Sequence, residues 1–245
     1  MQSSFIYALF AAIIGSGCPV ILAALLGCTT DRTQRWLIPH LVSFATGSLL
    51  GAAFLGLIPR ALEAVSLENG LMMILAGILL FFIMEKMIIW RHCHKAGCAV
   101  HDVTPRLLLV GDAVHNFLDG VALSAAFIVS VPLGVATAVG IFAHELPQEI
   151  GDYAVLLGSG YSKRKALLLN AISGATAIPG VVIGYFFASS MTQTIPYIMA
   201  LAASSFLYIA VADLIPGLHK RTGARESALQ LVLIIAGLGT IYLFH

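Results

Sequence analysis

The sequence predicts an all-α membrane protein of eight transmembrane helices in a 3+2+3 arrangement, with helices 1–3 and 6–8 as inverted repeats around helices 4 and 5. Three observations lead there. The 245 residues are 59% apolar and only 10% charged, and a mean hydropathy of +0.96 lies well outside the soluble globular range. Apolar runs of near 18 to 25 residues recur along the whole chain, each long enough to cross ~30 Å of hydrocarbon as a helix. Finally, Ser48 to Arg60 (SLLGAAFLGLIPR) aligns with Ser205 to Gly217 (SFLYIAVADLIPG) at the Ser, one Leu, one Ala and the Leu-Ile-Pro.

The spans read, in order, 4–27, 36–59, 70–90, 106–130, 134–158, 166–189, 195–217 and 226–244. Met1-Gln2-Ser3-Ser4 lacks the positive n-region of a cleavable signal, so the first run is expected to be a retained helix. Spans two and seven carry the aligned segments and run in opposite directions, the inverted-repeat pattern of many membrane proteins with a central site. Glu85-Lys86 closes span three as an interfacial pair. About three residues separate spans four and five, which must then be antiparallel neighbours. Gly47-x3-Gly51 and Gly180-x3-Gly184 have helix-packing spacing. No extended polar stretch remains for a soluble domain, so residues 1–245 are expected to form one polytopic transmembrane domain with a cytoplasmic loop at about 91–105.

Lys and Arg fix the orientation, since they collect in cytoplasmic loops. Arg32 and Arg35 follow span one; Lys86, Arg91, Lys95 and Arg106 lie between spans three and four. Lys163, Arg164 and Lys165 follow span five, and Lys220, Arg221 and Arg225 follow span seven. That places 12 of the 13 basic residues on one side and only Arg60 opposite, so both termini are expected to be extracytoplasmic, in a plasma or inner membrane. Cys18 and Cys28 lie in or beside the first helix and Cys93 and Cys98 in a basic loop, which is no disulfide framework. A net charge of +1 gives no reason to expect nucleic acid.

From Leu107 to Ser162 the chain carries Asp112, Asp119, Glu145, Glu149 and Asp152 without one Lys or Arg. Each charge at mid-membrane costs ~2.5 to 3.5 kcal/mol on insertion scales, so a counter-charge is needed, and a bound metal cation is the simplest. On span four, Asp112, His115, Asn116 and Asp119 fall at i, i+3, i+4 and i+7, one helix face. On span five, His144, Glu145, Gln148, Glu149 and Asp152 form a second stripe. Imidazole with carboxylate suits zinc, iron, manganese or cadmium, and the absence of Cys favours release of the ion. Asp112 and Asp152 lie toward the cytoplasmic ends and could line an exit path. Pro147 frees the carbonyl of Ala143 beside these groups. The competing readings are interhelical hydrogen bonds and a path of protonated carboxylates. His92, Cys93, His94, Cys98 and His101 form a candidate metal-capture or sensing site in the cytoplasmic loop, whereas His40, His219 and His245 read as interfacial or satisfied.

The tracts His115-Asn116-Phe117-Leu118-Asp119-Gly120 and His144 to Asp152 resemble the HNxxDG and HExPxExGD motifs of the Zrt/Irt-like (ZIP) family of divalent-metal transporters. LLGAAFLGLIPRA in span two, LLFFIMEK in span three and SFLYIAVADLIP in span seven extend the likeness over nearly the whole chain, nearest to the LIV-1/GufA-like branch. The resemblance implies eight helices, extracytoplasmic termini, a binuclear site between helices four and five and elevator-like alternating access. It implies that His115, Asp119, His144 and Gln148 build one metal site, that Asn116, Glu145 and Glu149 build its neighbour, and that Asn170 adds a ligand. Gln148 stands where many members have a second His, which should relax zinc selectivity. Gly56 replaces a His common in the second helix, and Arg60 and Gly217 replace acids that follow the Pro in helices two and seven.

The expected function is therefore transport of divalent ions, zinc foremost, toward the cytoplasm, with the metal as substrate and no prosthetic group. Expected partners are the metal ions and the lipid bilayer, and a homodimer is compatible with them. An intramembrane zinc hydrolase, prompted by His144-Glu145, fails the His-Glu-x-x-His spacing because position 148 is Gln behind Pro147, so no enzyme is expected. A non-transporting metal sensor built on the His92 to His101 loop is the third reading.

Overall fold

The structure, a computed structural model, describes residues 2–27, 29–90, 105–220 and 222–244. Among them the chain forms eight helical rods and no strand. They are α1 (Gln2–Leu26), α2 (Asp31–Gly51, continued by Ala52–Leu57 and Ile58–Ala64), α3 (Leu67–Trp90), α4 (Pro105–Val129), α5 (Val131–Gly158), α6 (Lys163–Gly174, then Ala177–Ser190), α7 (Ile195–Tyr208, continued by Ile209–Leu214 and Ile215–His219) and α8 (Ala224–Tyr242). Seven are long and apolar enough to cross a membrane; α5 is not among them. Its 28 residues give about 42 Å of helix, ample in length, but Glu145, Glu149 and Asp152 cut its apolar run. The polar stripe that marks the site is thus also what hides this helix from a hydropathy criterion.

Three boundaries differ from the sequence expectation. A single residue, Ser130, joins α4 to α5: its backbone is extended and its hydroxyl accepts from Leu133 N–H at 3.2 Å, capping α5. The second rod begins near Asp31 and runs on to Ala64. The sixth is interrupted after Gly174, where the Thr176 hydroxyl lies 2.6 Å from both Ala113 O and Ser173 O and ties the break to α4.

α2 and α7 each contain a six-residue π-helical turn, Ala52–Leu57 and Ile209–Leu214. Both sit at the same place in the aligned repeat, immediately before Ile58-Pro59 and Ile215-Pro216. Proline lacks an N–H and its ring crowds the carbonyl four residues back; the widened turn, with Ile58 N–H bonded to Ala53 O and Ile215 N–H to Ala210 O, relieves that clash.

Packing sorts the rods into two groups. In one, α5 lies along α1 and α4, and α4 along the second half of α6; in the other, α2 lies along α8, and α3 along α7. Glycine sets the closest approaches. A Cβ at Gly47 would stand 1.9 Å from Ile234 O and one at Gly237 2.2 Å from Phe44 O, so α2 and α8 touch backbone to backbone. Gly120 against Ala177 O (2.1 Å) and Gly180 against Phe117 O (2.2 Å) do the same for α4 and α6. Hydrogen bonds follow the grouping: Ser204 donates to Ile74 O, Tyr208 to Glu85, and Gln230 to Leu218 O in the second group. α5 also packs along α2, about as extensively as α3 along α7, with Gly140 against Ala52, Phe206 and Ser48 O.

Candidate metal centre

The helical spacing of the stripe on α4 and α5 becomes a shared interior face. Asp112, Asn116 and Asp119 on α4, and His144, Glu145, Glu149 and Asp152 on α5, are all buried, with Glu149 fully inaccessible; His115 and Gln148 are half-buried. The one-residue connection at Ser130 holds the two helices antiparallel with little freedom to slide.

Four side chains converge. His115 Nε2 lies 3.0 Å from His144 Nε2 and 3.6 Å from Asp119 Oδ2. His144 Nε2 lies 3.1 Å from Asp119 Oδ2, and Glu145 Oε1 stands 3.6 and 3.5 Å from the two imidazoles. Ligands at 2.0–2.1 Å on a tetrahedral zinc ion are separated from one another by roughly 3.3 Å, so these five distances trace the edges of one such polyhedron. His144 Nδ1 is 2.9 Å from Gly140 O. A carbonyl only accepts, so the ring proton sits on Nδ1 and Nε2 offers its lone pair to the centre. On its far side His144 meets Phe206 of α7 edge-on, ring centroids 5.9 Å apart.

A second group adjoins the first: Asp112, Glu145 and Glu149 bring carboxylate oxygens within 4.8 Å of one another. Both oxygens of Glu145, both of Glu149 and Oδ2 of Asp112 are buried without a hydrogen-bond partner. Asp112 Oδ1, by contrast, accepts from Asn116 Nδ2 at 3.0 Å and from Gln148 Nε2 at 2.8 Å. Asn170 of α6 donates to Glu149 O at 3.0 Å, which leaves its buried Oδ1 unpartnered. An unpaired buried carboxylate is costly to sustain, and so many in one place make this a candidate cation site.

The structure therefore gathers His115, Asp119, His144, Glu145, Glu149 and Asp112, and sets Asn170 beside Glu149. It does not bring Gln148 into the imidazole group; that amide is turned to Asp112, and Glu145 stands with the imidazoles. Asn116 likewise bonds Asp112. Asp152 is buried on α5 but joins neither group. His92, Cys93, His94, Cys98 and His101 lie outside the described residues. Two contributors had no sequence signal. Ser16 on α1 walls a cavity of about 10 Å³ with Asn116 and Asp119, room for about one water. Gly174, where a Cβ would stand 3.0 Å from Glu149 Oε1, keeps space open beside that carboxylate.

A family model described as "ZIP Zinc transporter" matches residues 3–106 and 91–245. The chain belongs to the ZIP zinc transporter family. Zinc transporter ZIP13 of Pongo abelii is 32% identical to this ZIP chain over 229 residues, covering 87% of it and 69% of the relative. Zinc transporter ZIP4 of Homo sapiens is 42% identical over 135 residues, 55% of this chain and 21% of its own length; zinc transporter ZIP10 of Danio rerio is 37% identical over 144 residues, 56% and 17%. The ZIP chain thus spans about two thirds of ZIP13 and matches about a fifth of ZIP4 and ZIP10. These relatives are named as transporters, not enzymes, in keeping with the failed hydrolase spacing at residues 144–148. The likeness to ZIP4 and ZIP10 is consistent with the LIV-1 branch.

Proposed function

We propose that this ZIP protein carries divalent first-row metal ions, zinc foremost, across a plasma or inner membrane toward the cytoplasm. One observation carries the reading: two imidazoles and two carboxylates, mutually 3.0–3.6 Å apart over five measured pairs, in a pocket free of thiolate. The ion is substrate, and a site without Cys lets it go again.

The finer architecture belongs to the same proposal. Residues 1–245 act as one transmembrane domain in which α5 also spans, giving eight helices arranged 3+2+3 with both termini extracytoplasmic. Exchange of α1 with α6, α2 with α7, α3 with α8 and α4 with α5 maps the principal packing pairs onto one another, and the matched π turns support the same inverted repeat. The small residues Gly140 and Ala52, which face each other between α5 and α2, suit alternating access in which the group holding the metal slides against the other. Asp152 lines the cytoplasmic side of the path, the loop of His92 to His101 receives the ion, and two copies of the chain associate in the bilayer.

Competitive uptake of Zn²⁺, Fe²⁺, Mn²⁺ and Cd²⁺ into proteoliposomes, with and without a pH gradient, tests this. Saturable zinc uptake absent from protein-free vesicles is expected. Metal binding without flux would favour the sensor reading instead.

A further inference from the structure

We infer that Ser16 of α1 is a positioning residue of the metal centre: its hydroxyl holds one water in the cavity beside Asp119 and, through that water, orients the Asp119 carboxylate. The inference rests on the metal-carrying reading above. It gives α1, which contributes to neither group of candidate ligands, a part in setting zinc affinity.

The hydroxyl itself is the first observation. A buried serine or threonine in a helix commonly returns its proton to the carbonyl four residues earlier, and Ser43, Thr46 and Ser204 do so at 2.7, 2.8 and 2.7 Å. Ser16, only 8% exposed, has no protein partner for its Oγ. A buried hydroxyl without one is costly. Pro19 adds a second polar group to the same stretch. It lies inside α1 and has no N–H to offer Gly15 O, the carbonyl four residues back.

Both groups border one place. Gly15 and Ser16 wall the cavity of about 10 Å³ together with Asn116 and Asp119, and the rest of its lining is Ala, Gly, Leu and Ile. That volume admits a single water, which needs two to four polar partners to be held. Ser16 donates to the water. The water in turn donates to Asp119 and to one carbonyl oxygen, that of Gly15 or that of Asn116, whose amide nitrogen is already committed to Asp112 at 3.0 Å. Asp119 Oδ2 meanwhile faces His144 Nε2 at 3.1 Å and His115 Nε2 at 3.6 Å. The carboxylate is thus held from the side of α1 while it presents an oxygen to the imidazoles. Hydrogen-bond partners of metal ligands typically change affinity 10–100-fold when lost, so a hydroxyl that never touches the ion still sets how tightly it is held.

The test is structural and thermodynamic, not flux. Full-length wild type is crystallised without metal and with zinc, and zinc affinity is measured in detergent by competition with a chelating dye. Both crystals should show an ordered water within about 3.2 Å of Ser16 Oγ and of an Asp119 oxygen. Ser16→Ala should weaken zinc about tenfold. Ser43→Ala, which removes a buried hydroxyl bonded within its own helix, should leave zinc affinity unmoved. In an Asp119→Ala background, where the oriented carboxylate is gone, adding Ser16→Ala should change zinc affinity by less than about twofold, well short of the loss of a ligand's hydrogen-bond partner. A packing role for Ser16 would weaken both backgrounds alike. Thermal melting of each variant separates loss of the contact from loss of the fold, and the wild-type crystals decide the matter without any variant. A cavity without water, zinc affinity unmoved in folded Ser16→Ala, or equal losses in the two backgrounds would each overturn the inference. Wild type that shows the water yet binds no zinc at the imidazole group would instead refute the transport reading.

Discussion

His144 is where the local physics is most constrained. Its Nδ1 proton is held by Gly140 O at 2.9 Å and its Nε2 faces His115, Asp119 and Glu145, so the ring is oriented before any ion arrives. Zinc-edge X-ray absorption of the loaded protein should show a first shell of nitrogen and oxygen near 2.0 Å, with the outer-shell scattering of two imidazoles and no sulfur. His144→Ala should leave one imidazole in that shell and weaken zinc at least a hundredfold. A sulfur shell would place the bound ion elsewhere. The stripe itself was legible in the sequence because helical periodicity puts Asp112, His115, Asn116 and Asp119 on one face. That Glu145, and not Gln148, joins Asp119 beside the imidazoles was not legible. That depends on the axial offset of α4 against α5, fixed by the one-residue Ser130 joint, and on a lateral hydrogen bond that turns Gln148 to Asp112.

Among elements, the backbone contacts at glycine are the most exacting. A methyl at Gly47 would fall 1.9 Å from Ile234 O and one at Gly180 2.2 Å from Phe117 O, and neither neighbour is a side chain that can swing away. Gly47→Ala and Gly180→Ala are each expected to destabilise the protein by ~1–3 kcal/mol through forced helix separation. Thermal melting in detergent measures this, with Gly15→Ala, which would meet nothing within 4 Å, as the matched control. The glycine spacing was readable, as were Pro59 and Pro216 in the matched Leu-Ile-Pro. The π turns before those prolines were not, because they are the backbone's response to a steric clash and have no residue pattern of their own. The interruption of α6 after Gly174 escaped for a similar reason: it is held by Thr176 bonding a carbonyl of α4, a tertiary contact.

At the level of the whole molecule, the rods divide so that α4 and α5, with α1 and α6 packed against them, hold the candidate metal-binding groups, while α2, α3, α7 and α8 pack together beside them. Sequence reading anticipated the all-helical membrane class and the order of the helices, because apolar run length and basic loops act locally. It could not anticipate that α1 leaves its sequence neighbours α2 and α3 to join α5, since that pairing is set by surfaces far apart in the chain. The proposed movement of one group past the other has a direct consequence. Gly140 and Ala52 face across the seam, a Cβ at Gly140 lying 3.3 Å from that of Ala52, close to the ~3.5–4.5 Å span of a disulfide. With the four native cysteines replaced by Ser, Gly140→Cys with Ala52→Cys should lose uptake on oxidation and regain it on reduction. Full uptake by the oxidised form would mean that the groups do not slide.

The central claim is that the imidazole and carboxylate group on α4 and α5 is where the transported ion binds. The most direct measurement is zinc uptake into proteoliposomes by wild type and by the Asp119→Ala, His144→Ala double variant at matched protein density. Uptake should fall to the level of protein-free vesicles in the double variant, with its melting temperature showing a folded protein. Uptake at the wild-type rate by that folded variant would contradict the account.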